Sequence, residues 1–304
     1  MALFNAGISL IRAQGNTRVS MTLSLIMNAI NIAGNALLIY GFDMAVTGAA
    51  IATLFARAVV AVIVFKMLLN KNLKIHIGFE GFFKFDRPIV ANILGQGIPG
   101  GIENCLFQLG KLLVMGVVAT LPTAMRAANG VAANAICIVN CPGGAVGLAA
   151  TALISPMIGA GDKEGARRLG HRLVKLMYAL ELPINLIMVA IASPLARLYG
   201  LSADGLDGAT RVIIAYSLLA IVLWTPALGL PYIIKSAGDA KYTMLCSMLS
   251  MMILRVGSCY LYVYVFDLGL QGIWMAQFTD WVGRAVCYSL RLKSGRWLEK
   301  SAIR

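Results

Sequence analysis

The sequence predicts an all-α fold, a polytopic membrane helix bundle of about eight transmembrane helices. Hydrophobic residues make up 59% of the chain and charged residues only 13%, and the mean hydropathy is +0.80. Soluble globular proteins carry roughly 25% charged residues. The apolar residues also form runs of ~20 or more, the length that a helix needs to cross a bilayer. Hydrocarbon offers no partner for backbone groups, so runs of this length are expected to be helical.

Eight runs are long enough to cross the membrane. They cover approximately residues 20–40, 45–68, 89–119, 127–158, 173–198, 209–233, 243–265 and 270–292. Prolines interrupt the third to the sixth of these spans, at Pro99, Pro142, Pro183, Pro226 and Pro231. Membrane helices tolerate such interruptions where neighbours or a cavity satisfy the freed backbone groups. The prolines therefore favour a bundle that lines a cavity.

The net charge of +13 could indicate a nucleic-acid partner, and the positions of the basic residues decide against it. Counted over alternate connections between the spans, nineteen of the 26 Lys and Arg residues fall on one side of the membrane and three on the other. The positive-inside rule places the richer side in the cytoplasm. We therefore expect a multi-pass protein of the cytoplasmic (plasma) membrane with both termini in the cytoplasm, and no nucleic-acid partner.

Two stretches of the sequence recur about 223 positions later. Residues 11–21, IRAQGNTRVSM, match residues 234–244, IKSAGDAKYTM, and a second match in the same order follows each of them. The second match pairs Phe42, Asp43, Gly48 and Ala52 with Phe266, Asp267, Gly272 and Ala276. This indicates a parallel repeat in which the first two spans correspond to the last two. Chance similarity is the alternative, because helix starts at the cytoplasmic surface favour Gly, Asn or Asp and basic residues.

The repeat predicts a division of the chain. Residues 1–70 are the remainder of an N-terminal lobe, 71–88 a basic cytoplasmic linker, and 89–304 a complete six-helix lobe. A matching N-terminal lobe would need further helices, and residues 1–14 look like the tail of one. We therefore expect the chain to be a fragment that is inactive alone, with the missing helices of its own lobe as partners.

Catalytic and metal-binding residue patterns are not found in the sequence. Cys137 and Cys141 share a helix face, but two thiols without His or carboxylate neighbours are more often packing residues than metal ligands. No nucleophile stands beside a base in the sequence. We expect neither an enzyme, nor a metal site, nor a cofactor.

Ionisable residues within the predicted spans are the first candidates for a functional site, because a charge in a membrane is directed to a cavity or a partner. Asp280 and Arg284 are one helical turn apart, which favours an internal salt bridge. Arg255 lies in mid-helix and either pairs with Asp280 or lines a cavity. Glu181, two residues before Pro183, has the same two interpretations.

A stripe of small and polar residues follows one face of the third span. Gly97, Gly101, Asn104, Gln108 and Lys111 are spaced at steps of four and three, which places them on one side of a helix. A packing seam is one interpretation, since glycines let helices approach closely. A cavity is the other, because the Lys111 ammonium needs a polar partner and Glu103, on the flank, is too far along the helix. We predict that Asn104, Gln108 and Lys111 line a cavity and that Glu103 serves ion coupling.

Several motifs resemble those of the multidrug and toxic compound extrusion (MATE) transporters. They are SLIRAQGNTRVSM at 9–21, GAAIAT at 48–53, GQGIPGGIENCLFQLGKLLV at 95–114 and PMIGAGDKEGARRLG at 156–170. The resemblance extends over nearly the whole chain and begins at the end of the family's fourth helix. It implies a twelve-helix, two-lobe antiporter in the lipid bilayer that exports amphipathic, often cationic, small molecules in exchange for Na⁺ or H⁺. Glu103 is the carboxylate in the span that matches the family's seventh helix.

Two other functions are open on the same residues. A flippase for lipid-linked oligosaccharides would have the same bundle, and its cavity should be rich in Arg and Lys to bind pyrophosphate. Only Lys111 and Arg255 are candidates for that role. The third possibility, from a different class, is a membrane fragment or assembly subunit that does not transport.

Overall fold

The computed structural model describes residues 2–13, 17–69 and 87–298. It is 91% helix, which confirms the predicted all-α class. The chain forms two compact units, Met1–Asp86 and Arg87–Arg304. The linker predicted at 71–88 falls almost entirely outside the described residues, and the second unit begins with a helix at Arg87.

The first unit contains three helices. They are α1 (Ala2–Ala13), α2 (Thr17–Ala36), which continues as a π-helical turn over Leu37–Gly41, and α3 (Ala45–Leu68). Their common core consists of aliphatic and aromatic side chains from all three, among them Phe4, Ile8, Leu23, Val60 and Val64.

The second unit begins with five helices. They are α4 (Arg87–Ala119), α5 (Thr123–Val139), α6 (Cys141–Gly159), α7 (Lys163–Leu198) and α8 (Ala203–Trp224). Two of these starts are capped by side chains, since Asp162 accepts a hydrogen bond from the Gly165 amide and Ser202 accepts one from the Gly205 amide. Such caps satisfy amide groups that the first helical turn leaves free.

Four more helices complete this unit, with π-helical segments between them. They are α9 (Leu230–Ser236), α10 (Ala240–Leu249), α11 (Ser258–Tyr260) and α12 (Gly269–Lys293). The π-helical segments cover Thr225–Gly229, Ser250–Gly257 and Leu261–Val265. A short 3₁₀ turn over Arg296–Leu298 ends the described chain.

Seven of the described helical segments are long and apolar enough to span a membrane. They are Arg18–Gly41, Ala45–Leu68, Ile93–Ala119, Cys141–Gly159, Lys163–Leu198, Ala203–Ser236 and Ala240–Val265. α12, the eighth predicted span, is 25 residues long but is not among them, because polar residues such as Gln271, Gln277 and Asp280 lower its hydropathy. Large apolar side chains are exposed on these helices, for example Ile187 at 59% and Val222 at 62%, as expected for surfaces that contact lipid.

The predicted proline interruptions are only partly correct. α4 and α7 continue through Pro99 and Pro183, so these prolines do not end their helices. The predicted span 127–158 is broken instead at Asn140, just before Pro142 at the start of α6. Pro226 falls within the first π-helical segment of the second unit, where a proline without an amide donor is tolerated because the local bonding pattern has already changed.

The second of the two sequence matches has a counterpart in local geometry. α2 and α11 each continue into a π-helical turn, over Leu37–Gly41 and Leu261–Val265. Asp43 and Asp267 follow at φ values of 54° and 51°, a region that residues other than Gly rarely adopt. The first match includes residues 14–16, which lie outside the described residues.

The hydrogen bonds of these two turns also agree. The amide of Phe42 donates to Leu37 O, and the amide of Phe266 donates to Leu261 O, both at 3.2 Å. The next hydrogen bond is 3.0 Å long in both turns: the amide of Met44 donates to Leu38 O, and the amide of Leu268 donates to Tyr262 O. The same backbone hairpin is therefore formed by two segments that share Leu, Tyr, Phe and Asp at four equivalent positions, which supports the predicted repeat over chance similarity.

Candidate functional site

A buried carboxylate on α4 pairs with a lysine on α9. Glu103 Oε2 lies 2.8 Å from Lys235 Nζ, and the side chains are 14% and 37% exposed, respectively. Glu103 Oε1 accepts a second bond from Lys235 at 2.9 Å and one from the Ser247 hydroxyl at 3.0 Å. Ser247 Oγ in turn lies 2.8 Å from the hydroxyl oxygen of Tyr288. The carboxylate is thus held by groups from α9 and α10, and Tyr288 of α12 contacts Ser247 behind them.

A second ion pair lies deeper in the same region. Arg284 Nε donates to Asp280 Oδ1 at 2.7 Å, and the two side chains are 4% and 1% exposed. Ser250 donates to the same carboxylate oxygen at 2.5 Å, while Arg284 donates to the backbone carbonyl of Ser247 at 3.3 Å. Ser247 therefore connects the Glu103 pair with the Asp280 pair, and the two form one polar network.

A cavity of about 350 Å³ opens beside this network. Its walls combine charged and apolar groups from α4, α9, α10 and α12, and we call it the Glu103 cavity. It is lined by Glu103, Asn104, Phe107, Ala227, Leu228, Pro231, Tyr232, Lys235, Ser247 and Arg284. Its volume is within the range of small-molecule sites.

A second cavity, of about 230 Å³, contains two further cations. We call it the Lys111 cavity, and it is lined by Lys111, Val114, Met115, Val118, Asn129, Ala133, Arg255, Ile273, Trp274 and Gln277. Phe107 lies between the two regions: Lys111 Nζ is 4.9 Å and Arg284 Cζ 5.4 Å from the centre of its ring. A cation near the face of an aromatic ring is stabilised by the ring quadrupole.

Glu181 forms a separate buried cluster. Its Oε1 accepts from the Gly143 amide at 3.1 Å, and its Oε2 accepts from Asn185 Nδ2 at 2.9 Å. The side chain is fully buried and lines neither the Glu103 cavity nor the Lys111 cavity. The structure thus separates Glu181 from the other predicted site residues.

The MatE family model matches residues 99–261 of this chain, which is more than half of it. The chain belongs to the MatE family. This confirms the resemblance to the MATE transporters, and the chain is therefore a multi-pass member of a transporter family.

Individual relatives agree with this assignment. "Uncharacterized transporter YisQ" of Bacillus subtilis is 25% identical over 311 residues, an alignment that covers 98% of this chain and 66% of the relative. "Probable multidrug resistance protein NorM" of Thermotoga maritima is 24% identical over 311 residues, covering 100% of this chain and 65% of the relative. The chain thus spans slightly less than two thirds of the length of these two proteins.

A solved structure has the same fold. "Crystal structure of MATE in complex with MaL6" superposes with a TM-score of 0.87 at 19% identity, covering 97% of this chain and 67% of that one.

The two glycines of the predicted stripe have no close neighbour among the residues that the structure describes. A Cβ atom added at Gly97 or Gly101 would have no described atom within 4 Å, so these glycines do not serve a tight packing seam among the described residues. Asn104 lines the Glu103 cavity and Lys111 its own cavity, whereas Gln108 is exposed and lines neither.

The ion pair predicted between Asp280 and Arg284 is present. Asp280 is bound to Arg284 and Ser250, and Arg255 lines the Lys111 cavity. The sequence does not predict the partners of Glu103, because Lys235 lies just beyond the predicted span 209–233, and Ser247 and Tyr288 are isolated polar residues within apolar spans. The available signal was the polarity of Ser247 and Ser250 within an apolar span.

Proposed function

We propose that this MatE chain forms part of a secondary active transporter that moves amphipathic small molecules across the cytoplasmic membrane in exchange for Na⁺ or H⁺. The observation that carries the proposal is the Glu103–Lys235 ion pair at the edge of a cavity. A charged pair within a membrane span is costly and is retained where it serves an ion or substrate path. The Thermotoga relative described as a probable multidrug resistance protein supports export as the direction.

Glu103 supplies the coupling in this proposal. A proton or Na⁺ that binds the carboxylate competes with the Lys235 ammonium, because both neutralise the same charge. Once Glu103 is neutral, the attraction that holds α9 to α4 is largely lost. α9 follows the π-helical segment Thr225–Gly229, and such segments are frequent at functional sites. Ion binding would then change how α9 packs, which is the differential effect that a coupled transporter needs.

The charge of the substrate depends on which carboxylates are free to bind it. The resemblance leads us to expect cationic substrates, which would need a carboxylate free to receive them. Glu103, Asp280 and Glu181 are each already bound to described partners. A cationic substrate would therefore have to displace Lys235 from Glu103, as the coupling ion does, and the two cations would compete for one site.

The flippase for lipid-linked oligosaccharides is the second candidate, and one observation favours it. Lys111 and Arg255, the two residues that a pyrophosphate site would need, line the same cavity. Transport of a lipid-linked pyrophosphate in place of a small amphiphile would decide for the flippase.

Reconstitution tests the proposed antiport directly. The protein encoded by the longest open reading frame that contains this sequence is purified and reconstituted into proteoliposomes. Movement of a fluorescent amphiphile is then followed under an imposed Na⁺ gradient or, separately, a proton gradient. We expect one gradient to drive transport and its collapse by a matching ionophore to stop it. Movement that is insensitive to both gradients would contradict antiport.

A further inference from the structure

The two cationic side chains that line the Lys111 cavity have no hydrogen-bond acceptor among the described residues. Lys111 and Arg255 face it from α4 and from the π-helical segment Ser250–Gly257, and neither forms a hydrogen bond or an ion pair with another described residue. The contact of Lys111 with Phe107 stabilises the ammonium but leaves its three N–H groups available. Two like charges that border one cavity repel each other, and this repulsion acts between Lys111 and Arg255.

Neutral donors add to this set. Gln277 is only 8% exposed, lines the cavity and makes no hydrogen bond with any described side chain or backbone group. Asn129 supplies a second neutral amide to the lining. Buried polar groups are normally satisfied, and exceptions call for an explanation such as an absent ligand.

The lining residues contain no carboxylate to balance the two cations. Asp280 attracts Arg255 from α12, but it is bound to Arg284 and Ser250. Apart from the amide of Asn129, the rest of the lining is apolar, with Val114, Met115 and Ile273 among its members. Such a site is complementary to an anionic oxygen group attached to an apolar body, because the group accepts bonds from the cations and amides while the body contacts the aliphatic walls.

We propose that the Lys111 cavity binds the carboxylate or phosphate group of an amphipathic anion. Arg255 and Lys111 hold the anionic oxygens, Gln277 donates to them, and the aliphatic residues contact the apolar part. This deepens the proposed function by naming the charge class of the substrate, and it rests on that function only for the step of transport. Binding at the cavity can be measured without transport.

The test uses three dansyl probes that differ in charge. The full chain is placed in nanodiscs of zwitterionic lipid, and binding is followed by energy transfer from tryptophan to N-dansylglycine (a carboxylate), dansylglycinamide (neutral) or dansylcadaverine (a cation). We expect the carboxylate to bind at least tenfold more tightly than the neutral amide, and the cation most weakly. Equal affinities for the carboxylate and the amide, or tighter binding of the cation, would overturn the proposal without any variant.

Variants then locate the site. The double substitution Lys111→Met, Arg255→Met should abolish the preference for the carboxylate, whereas Arg168→Met, which alters an exposed pair with Glu164 on α7, should preserve it. A double variant that folds and still prefers the carboxylate would refute the assignment to this cavity. If the double variant does not fold, the single changes Lys111→Gln and Arg255→Gln should each weaken carboxylate binding several-fold and leave amide binding unchanged.

Lipid composition separates two sources of the anion. Phosphatidic acid in the nanodisc should compete with N-dansylglycine if a lipid headgroup reaches the cavity, and should not if the natural ligand is a soluble amphiphile; the anion site is supported in both cases. Binding of the carboxylate by a protein that fails to transport would contradict the proposed antiport and leave the anion site intact. Gradient-driven transport without any charge preference in binding would support the proposed antiport and contradict the anion site.

Discussion

Glu103 and Lys235 are 132 positions apart, yet their carboxylate and ammonium groups lie 2.8 Å apart across α4 and α9. Both are accessible to the Glu103 cavity, so ions that enter the cavity can reach the pair. Ser247 donates a third hydrogen bond to the carboxylate, and this bond would persist with a neutral side chain in place of glutamate.

The first prediction concerns ion coupling at this pair. Glu103→Gln should reduce gradient-driven transport to background. A neutral amide cannot take up a proton, and it does not bind Na⁺ in place of the Lys235 ammonium. Expression should remain near that of the parent, since the amide oxygen still accepts from Ser247, whereas thermal stability should fall modestly because the ion pair with the partly exposed Lys235 is lost. Glu164→Gln, at an exposed pair on α7, is the matched control and should transport normally. Parental gradient-driven rates in the Glu103 variant would remove this residue from the coupling step.

A second prediction follows from the burial of Asp280 and Arg284. Arg284→Met should destabilise the protein by about 3–5 kcal/mol, because it leaves Asp280 as a buried charge without its cation. Adding Asp280→Asn to that variant should recover much of the loss. Arg211→Met removes a pair whose side chains are 64% and 61% exposed, and exposed pairs contribute only about 0–1 kcal/mol. Unfolding titrations in detergent compare the variants, and equal effects at the two pairs would contradict the argument from burial.

Local patterns were sufficient to predict some parts of this structure. The Asp280–Arg284 pair follows from one-turn spacing, since residues four apart meet on a helix. The pairing of Glu103 with Lys235 could not be predicted, because it depends on how α9 packs against α4. The first turns of α7 could not be predicted from hydropathy either, because hydropathy indicates only the apolar stretch that begins at residue 173. The helix itself begins at Lys163, after the Asp162 cap. Hydropathy identifies the segment that crosses the membrane, while the capping residue determines where the helix starts.

The repeated hairpin gives a third prediction. Asp43 and Asp267 adopt positive φ values, which Asp tolerates better than most residues and which a β-branched residue tolerates poorly. Asp267→Gly should therefore be neutral or stabilising, whereas Asp267→Val should cost roughly 1–2 kcal/mol. The same order is expected at Asp43. Equal tolerance of Val and Gly at both positions would show that neither residue adopts the left-handed conformation in the membrane.

Membrane orientation provides the fourth prediction. In a background without the six native cysteines, single cysteines are placed at Lys163 or Lys293 and, as the opposite-side control, at Tyr199, which is 50% exposed. A membrane-impermeant maleimide added to intact cells should label position 199 and reach the two basic sites only after lysis, because the basic connections are expected in the cytoplasm. The reverse labelling pattern would place both termini outside.

The fifth prediction tests the cluster around Glu181 through two adjacent glycines. A Cβ atom at Gly143 would lie 2.2 and 2.3 Å from ring atoms of Trp224 and 2.4 Å from Glu181 Oε1, whereas one at Gly144 would have nothing within 4 Å. Trp224 is only 3% exposed, so its ring has little room to withdraw.

Gly143→Ala should therefore displace the Glu181 carboxylate and weaken the bond that it accepts from the residue 143 amide. Overpacking of this kind costs typically about 1–3 kcal/mol. Gly144→Ala should instead stabilise the protein by roughly 0.5–1 kcal/mol, since alanine is the better helix former. Thermal unfolding of the two variants in the same detergent makes the comparison direct, because they differ by one position on the first turn of α6. If Gly143→Ala proves as stable as Gly144→Ala, Glu181 has space beside it that the described packing does not contain, and it is not held in place by the Gly143 backbone.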